Sequence, residues 1–258
     1  MDTSHHTEIQ DDVLRGARVV VTGGTSGLGL ALVRECVARG ATVAFVARTR
    51  ERVESIAREV DGAYGIVGDV AKKEDVHPIA LQILARMGGV DVLVNNASSL
   101  GPTPLALFAD TECEDFEQAL ATNVLGPFRL TKALLGALGA SARDGRGAVV
   151  LNVSSDAAIN PYRGWGAYGA SKAALHHMTR IWNEELISER VRFLSVDPGD
   201  MDTPLHALAV PDSDATRLKR PEAAARELLD RIEHALTDRD RRAIKASATP
   251  HQHAADVA

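Results

Sequence analysis

A tyrosine and a lysine stand four residues apart in the stretch YGASK, within a segment whose apolar pattern predicts a helix over 165–187. Because residues four apart share one helical face, the Tyr168 phenol and the Lys172 ammonium can lie side by side. A free tyrosine, with a pKa of about 10, is too weak an acid near neutrality. A neighbouring cation favours the phenolate, so we expect Lys172 to lower the pKa of Tyr168 into the range of efficient acid–base catalysis. Alone, such a pair is common on a helix surface.

A glycine-rich turn near the start of the chain is typical of a nucleotide site. The stretch TGGTSGLG, residues 22–29, lies between a strand-like run and a helical pattern. In that position the backbone N–H groups can approach a pyrophosphate, and the helix N-terminus adds a favourable dipole. Glycines alone are a weak indication because any tight turn needs them. The strand–turn–helix context makes Gly23, Gly27 and Gly29 a predicted dinucleotide cradle.

The end of the second predicted strand bears on which nicotinamide cofactor binds. An acidic residue there accepts hydrogen bonds from the adenosine ribose, whereas an arginine suits a 2′-phosphate. This chain has Ala47 at that position and Arg48 directly after it. A guanidinium can bind a phosphate through two hydrogen bonds, so we predict NADP(H) in preference to NAD(H). The alternative is that Arg48 is an ordinary solvated loop residue.

From residue 17 onward, short β-branched runs alternate with longer helical patterns, as in parallel strands joined by crossover helices. Several runs are apolar throughout, so helices should cover both faces of the sheet. We predict a single-domain, Rossmann-type, doubly wound α/β fold of six to seven strands, with any seventh strand at 241–246. The predicted strands are 17–22, 42–47, 63–68, 90–95, 147–153 and 191–196, and the predicted helices are 27–39, 50–60, 72–87, 114–138, 165–187 and 221–236.

The composition favours a small-molecule partner over a nucleic acid or a membrane. The 258 residues carry a formal net charge of −6, without a long basic run. No stretch approaches the roughly eighteen apolar residues of a membrane span, and the polar N-terminus lacks a signal-peptide pattern. We therefore expect a soluble, cytoplasmic protein with a flexible leader (1–14), one catalytic domain (15–247) and a flexible tail (248–258). The two cysteines lack metal-site spacing, and no metal site is expected.

Seven motifs occur in an order that resembles the short-chain dehydrogenase/reductase family, and specifically its compact single-domain branch. The resemblance extends over residues 17–236. The motifs are TGGTSGLG (22–29), GDV (68–70), NNAS (95–98), ATNVLG (121–126), NVSS (152–155), YGASK (168–172) and DPGDMDT (197–203).

The resemblance implies a catalytic tetrad of Asn123, Ser155, Tyr168 and Lys172. Tyr168 would be the acid or base, Lys172 would also bind the nicotinamide ribose, and Ser155 would hydrogen-bond the substrate oxygen. Ser155 is preferred to Ser154 because it keeps the thirteen-residue separation from Tyr168. Asn123 would hold a water that connects Lys172 to bulk solvent.

The resemblance also implies the cofactor contacts. Asp69 would bond the adenine amino group, Pro198 and Gly199 would shape the nicotinamide end, and Thr203 would bond the carboxamide. The full predicted set is Gly23, Thr25, Ser26, Gly27, Leu28, Gly29, Arg48, Asp69, Val70, Asn96, Ala97, Tyr168, Lys172, Pro198, Gly199 and Thr203.

Two residues depart from the family pattern near these sites. Ser98 stands where the family usually has the glycine of NNAG, so we expect an altered turn after the fourth strand. Ser26 stands where many NADP-dependent members place a basic residue. The seven motifs nevertheless favour an NADP(H)-dependent reductase of a ketone or aldehyde. The alternatives are a catalytically silent NADP-sensing regulatory protein and a reductase of a C=C or C=N substrate.

Loops after the fourth, fifth and sixth strands should line the substrate pocket. Their mainly apolar character suits an apolar ketone, a cyclic ketone or an aromatic aldehyde, although the two aromatic residues can equally be packing residues. The segment 203–221 is long and proline-bounded, and we predict that it forms a lid. The resemblance implies a homodimer or homotetramer built on the helices at 114–138 and 165–187. The predicted lining residues are Leu100, Asp156, Tyr162, Trp165, Met201, Leu205 and His206.

Overall fold

Strands and helices alternate along the chain in the predicted order. The computed structural model describes residues 13–237, so the predicted strand at 241–246 and the tail at 248–258 lie outside the described residues. The elements are β1 (Arg18–Thr22), α1 (Gly27–Ala38), β2 (Thr42–Ala47), α2 (Arg50–Glu59), β3 (Ala63–Val67), α3 (Lys73–Met87), β4 (Val92–Asn95), α4 (Cys113–Leu120), α5 (Gly126–Arg143), β5 (Ala148–Val153), α6 (Gly166–Glu185), β6 (Val191–Val196), α7 (Pro204–Ala209) and α8 (Pro221–Thr237).

Six parallel strands form the central sheet of the described region, in the order β3-β2-β1-β4-β5-β6. The strand order reverses between β1 and β4. In open α/β sheets, ligands bind in the crevice outside the carboxyl ends of the strands at such a point. The predicted doubly wound fold is confirmed, and its topology places the candidate crevice at the ends of β1 and β4.

Helices cover both faces of the sheet because successive side chains of each strand enter different cores. In β1, Val19 and Val21 enter the core beneath α1 and α8, while Val20 enters the core beneath α3 and α5. All three valines are fully buried. This explains the continuous apolar runs of the sequence. Leu14, which the sequence analysis assigned to a flexible leader, is also fully buried in the first of these cores.

The long helix predicted at 114–138 contains a π-helical turn. This turn, Ala121–Leu125, lies between α4 and α5. In an α-helix the carbonyl of Asn123 would accept a hydrogen bond from the N–H of residue 127, but residue 127 is a proline and has no N–H. The missing donor favours a change of helical hydrogen bonding at this point. Such π turns occur frequently at functional sites.

Within residues 13–237, no helix is both long enough and apolar enough to span a membrane.

Candidate active site

A large cavity lies at the carboxyl ends of the strands. It has a volume of about 1160 Å³ and runs from the glycine turn after β1 to the loops after β5 and β6. All of the predicted cofactor and substrate residues line it, as do three of the four tetrad residues. The fold therefore brings into one crevice residues that are far apart in the sequence.

The glycine turn after β1 packs too closely for side chains. Gly23 has a φ of +71°, in the left-handed region, and a Cβ on Gly29 would lie 2.1 Å from the Gly23 carbonyl oxygen. A Cβ on Gly27 would lie 3.1 Å from the Thr203 side chain across the cavity. The turn thus leaves its backbone open to the cavity at the N-terminus of α1, as a pyrophosphate cradle requires.

Two arginines lie at the end of the cavity formed by β2 and α2. Arg48 follows β2 directly, and Arg52 lies in the first turns of α2. Both side chains are exposed at the cavity, and Ala47, the last residue of β2, brings no negative charge. Arg52 was not predicted from the sequence, and it reaches the cavity because the first turn of α2 begins beside the end of β2.

Tyr168 and Lys172 lie one helical turn apart in α6, as predicted, and both are buried. Lys172 Nζ is 5.5 Å from the centre of the Tyr168 ring and donates a 2.7 Å hydrogen bond to the Val153 carbonyl. Burial lowers the pKa of Lys172 to about 8, with Asp197 opposing the change. The lysine therefore titrates close to the physiological range.

The surroundings of Tyr168 do not produce the predicted lowering of its pKa. Burial raises the pKa of Tyr168 to about 12, and this effect exceeds the opposing effects of the Ser155 and Ser98 hydroxyls. Asp197 and Asp156 raise the pKa of Tyr168 further. A neighbouring cation favours the phenolate, but desolvation of the phenolate by burial dominates here. At neutral pH the phenol holds its proton.

Ser155 follows β5 and lies beside Tyr168. Its Oγ donates to a carboxylate oxygen of Asp156 at 3.2 Å and accepts a hydrogen bond from the Ala157 N–H at 3.2 Å. The second Asp156 oxygen accepts a 2.6 Å hydrogen bond from the Tyr162 hydroxyl. Ser154, the alternative serine, is buried at the end of the strand. These contacts hold the Ser155 hydroxyl at the cavity wall.

Asn123 is the one residue of the predicted tetrad that does not line the cavity. It is fully buried in the π turn, where its amide nitrogen donates to the Ser99 carbonyl at 2.7 Å and to Ser171 Oγ at 2.8 Å. Its side-chain oxygen accepts from the Ser99 N–H at 2.8 Å and from Ser98 Oγ at 3.2 Å. An amide has two donor and two acceptor positions, so all four are used. The water predicted at Asn123 would therefore have to bind to the backbone carbonyl of Asn123, because the side chain has no free hydrogen-bonding position.

Aromatic and apolar side chains form the wall beyond Tyr168. The Trp165 ring meets the Tyr168 ring edge-on, with centroids 5.6 Å apart, and the Tyr162 ring meets Trp165 at 6.5 Å. Leu100 and Leu205 pack in the same small cluster. Trp165 and Tyr162 therefore border the cavity as well as pack against each other.

The predicted lid covers one side of the cavity and contains a short helix, α7, that the sequence analysis did not predict. Thr203 caps this helix, accepting a hydrogen bond from the His206 N–H at 3.2 Å. The two ends of the segment are joined by backbone hydrogen bonds: the Lys219 N–H donates to Asp200 and the Asp202 N–H donates to Lys219, each at 3.0 Å. The cavity roof is thus a closed loop of chain.

Comparison with known proteins decides the family. Residues 17–214 match the family described as short chain dehydrogenase. The chain belongs to the short-chain dehydrogenase family.

Members of the short-chain dehydrogenase family with described activities are among its relatives. The chain is 34% identical to L-fucose dehydrogenase of Mus musculus over 200 residues. The aligned region covers 77% of this chain and 71% of the relative. Its fold is similar to that of a 3-ketoacyl-(acyl-carrier-protein) reductase from Brucella melitensis complexed with NADH. That pair has a TM-score of 0.78 and 29% identity, over 84% of this chain and 90% of the other.

A second similar solved structure is that of an alcohol dehydrogenase from Thermococcus sibiricus complexed with 5-hydroxy-NADP. It has a TM-score of 0.75 and 28% identity to this chain, covering 85% of this chain and 91% of the other. Not every similarity extends along the whole relative. The match to an oxidoreductase of Mycobacterium tuberculosis is 31% identical and covers 76% of this chain but 58% of that protein.

Proposed function

We propose that this chain is an NADP(H)-dependent oxidoreductase that transfers hydride between nicotinamide and a ketone or aldehyde, with Tyr168 as acid or base. One observation carries the proposal. The cavity that holds the glycine cradle at one end holds the Tyr168 phenol, the Ser155 hydroxyl and the Lys172 ammonium at the other. Membership in the short-chain dehydrogenase family supports the same reaction class.

The residues along the cavity fit a dinucleotide. Gly23, Gly27 and Gly29 would hold the pyrophosphate, because without side chains they leave the backbone of the turn open to the cavity. Asp69 and Val70 line the region next to them, where the adenine would bind. Pro198 and Gly199 line the opposite end near Tyr168, where the nicotinamide would bind. The nicotinamide, when bound, supplies or accepts the hydride.

The cofactor preference rests on charge at the end of β2. Arg48 and Arg52 can bind a 2′-phosphate, and Ala47 introduces no carboxylate to repel it. A similar solved structure is complexed with 5-hydroxy-NADP and another with NADH, so relatives of this fold bind both types of nicotinamide cofactor. The two arginines favour NADP(H) for this chain.

Tyr168 transfers the proton in this proposal. During reduction it gives its hydroxyl proton to the substrate oxygen, and its pKa of about 12 keeps it protonated beforehand. During oxidation it must first lose that proton, so alcohol oxidation should accelerate as the pH rises. Ser155 hydrogen-bonds the substrate oxygen, which requires its proton to turn away from Asp156. Lys172, fixed on the Val153 carbonyl, places positive charge beside the phenol.

The cavity wall favours an apolar substrate. Trp165, Leu100 and Leu205 surround the space next to Tyr168, and they suit a cyclic ketone or an aromatic aldehyde. The carboxylate of Asp156, held by Tyr162, would face a polar substituent at the rim. We therefore propose a small apolar carbonyl compound or the corresponding alcohol as the substrate.

A panel of ketones and aldehydes, assayed with NADPH and NADH in parallel, tests the proposed function. We expect NADPH oxidation with at least one apolar carbonyl and a much slower rate with NADH. The Tyr168→Phe variant, assayed on the same panel, is the matched control. NADPH binding without turnover of any carbonyl would favour the sensing alternative, and product analysis would reveal reduction of a C=C or C=N bond.

A further inference from the structure

Ser98 occupies a rigid position on the cavity wall. On one side of it, the Ala97 N–H donates to Thr22 Oγ1 at 3.0 Å. On the other side, the backbone of Ser99 forms two hydrogen bonds with the Asn123 side chain, at 2.7 Å and 2.8 Å. Because the loop is fixed both before and after Ser98, the hydroxyl can change its partner only by rotating about its own side-chain bonds.

The Ser98 hydroxyl has two possible acceptors. Its Oγ donates to the Asn123 side-chain oxygen at 3.2 Å, and Ser98 lines the same cavity as Tyr168, within interaction range of the phenol. The Asn123 oxygen keeps the shorter, 2.8 Å hydrogen bond from the Ser99 N–H if Ser98 turns away. The rotation therefore leaves no buried polar atom without a partner, which is the main cost of breaking such a bond.

We propose that Ser98 is a positioning residue for Tyr168, whose hydroxyl turns from the Asn123 oxygen to the phenolate oxygen as Tyr168 gives up its proton. The Ser98 proton stays covalently bound to Oγ throughout, and the Tyr168 proton passes to the substrate oxygen. The hydrogen bond to the phenolate is charge-assisted and so stronger than the one to the neutral amide. The inference rests on the proposed function in that Tyr168 is the group that ionises.

The other hydroxyl beside Tyr168 is less free to respond. Ser155 donates its proton to the carboxylate of Asp156, a charged acceptor, whereas Ser98 donates to a neutral amide oxygen. Three titratable groups also face the phenol: Asp156 after β5, Asp197 after β6, and Lys172 in the same helix, which is neutral in the alkaline range where Tyr168 ionises. All three remain when Ser98 is replaced, so a change in the ionisation of Tyr168 would report on the Ser98 hydroxyl.

The tyrosine content of the chain allows a direct measurement without substrate. The chain has three tyrosines, Tyr64, Tyr162 and Tyr168. In a full-length Tyr64→Phe, Tyr162→Phe background, tyrosinate absorbance after a rapid jump to alkaline pH reports on Tyr168 alone. The absorbance is read within milliseconds of mixing, and far-UV circular dichroism recorded in parallel restricts the measurement to the folded chain.

We expect Ser98→Ala to raise the apparent pKa of Tyr168 by about one unit, because the phenolate loses a donor. Ser98→Gly, which also lacks the hydroxyl, should give the same rise, and Ser98→Thr should restore the background value. Ser99→Ala is the neighbouring control and should leave the apparent pKa unchanged. An unchanged pKa in the folded Ala and Gly variants, or a Thr variant that resembles them, would overturn the proposal. The carbonyl panel tests the enzymatic reaction separately, so the two proposals can fail independently.

Discussion

The Lys172 side chain is closed off from solvent and donates a 2.7 Å hydrogen bond from Nζ to the backbone carbonyl of Val153, the last residue of β5. This contact joins α6 to the end of a central strand. Because burial lowers the pKa of Lys172 from 10.5 to about 8, the folded chain releases this proton more readily than the unfolded chain. The lysine therefore links folding stability to pH.

Between about pH 8 and pH 10.5 the unfolded chain binds more protons at Lys172 than the folded chain does. Stability contributed by the neutral amine is thus present above pH 10.5 and is lost as the pH falls through 8. Relative to Lys172→Met, the free energy of unfolding of the wild type should rise by about 3 kcal/mol across this window. Urea denaturation of both proteins at several pH values measures the difference. Parallel stability curves would contradict this assignment.

Replacing Tyr168 by phenylalanine removes the proposed proton donor and keeps the ring that packs against Trp165. We expect kcat for carbonyl reduction to fall by about 10² to 10⁴-fold, the usual contribution of general acid–base catalysis. NADPH affinity, measured by fluorescence titration, should stay within a few-fold of the wild type. Undiminished turnover by this variant would exclude Tyr168 as the acid.

The ionisation of Tyr168 also predicts a pH dependence that differs between the two directions. The pKa of about 12 leaves the phenol protonated at neutral pH, so reduction should not be limited by its ionisation there. Oxidation needs the phenolate, and kcat for the alcohol product of the best carbonyl in the panel should rise throughout the alkaline range in which the protein stays folded. A pH-independent oxidation rate would contradict this role for Tyr168.

Charge at the end of β2 should set the cofactor preference. We expect Arg48→Ala to weaken NADPH binding by about tenfold or more, the loss of one charge-assisted interaction, while NADH binding changes little. Adding Arg52→Ala should weaken NADPH binding further. Arg50→Ala is a matched control, since Arg50 lies beside Glu54 on α2 and does not line the cavity. Equal losses for both cofactors would show that the arginines do not read the 2′-phosphate.

Apolar side chains on α5 and α6 predict self-association. Phe128 and Ile181 are 36% and 46% exposed, and Leu125 next to α5 is 41% exposed. The Phe128 ring contacts Trp182, so these side chains belong to adjoining helices. We expect sedimentation to show at least a dimer at working concentration, and Ile181→Glu to shift it toward monomer. A monomeric wild type would rule out this interface.

The strands could be predicted closely because each is a short apolar run bounded by turn residues. The π-helical turn between α4 and α5 was missed because the apolar pattern continues through Ala121–Leu125, although Pro127 marks the missing donor. The residues around the cavity could also be assigned, since ordered motifs follow successive strands. The spacing of residues along the sequence did not predict that Tyr168 and Lys172 are buried. The same helical turn that brings Lys172 to Tyr168 also removes both from water, and this reverses the expected change in the Tyr168 pKa.

The interactions around Ser98 show a second limit of sequence-based prediction. The motif NNAS marks this position as unusual, but the partners of the hydroxyl come from the π turn and from α6. Those segments are 25 and 70 residues away in the sequence and meet only in the folded chain. From the sequence around residue 98 alone, a serine in place of glycine predicts a change in the shape of the loop. It does not predict an effect on Tyr168.

The backbone hydrogen bonds that join Asp200 and Asp202 to Lys219 make the roof of the cavity a self-contained module. The residues between them begin and end at one point, so their length and composition can vary while Ser155, Tyr168 and Lys172 keep their positions on other elements. Natural variation or engineering can therefore change the residues between Asp202 and Lys219, and with them what enters the cavity, while the elements that carry Ser155, Tyr168 and Lys172 stay in place.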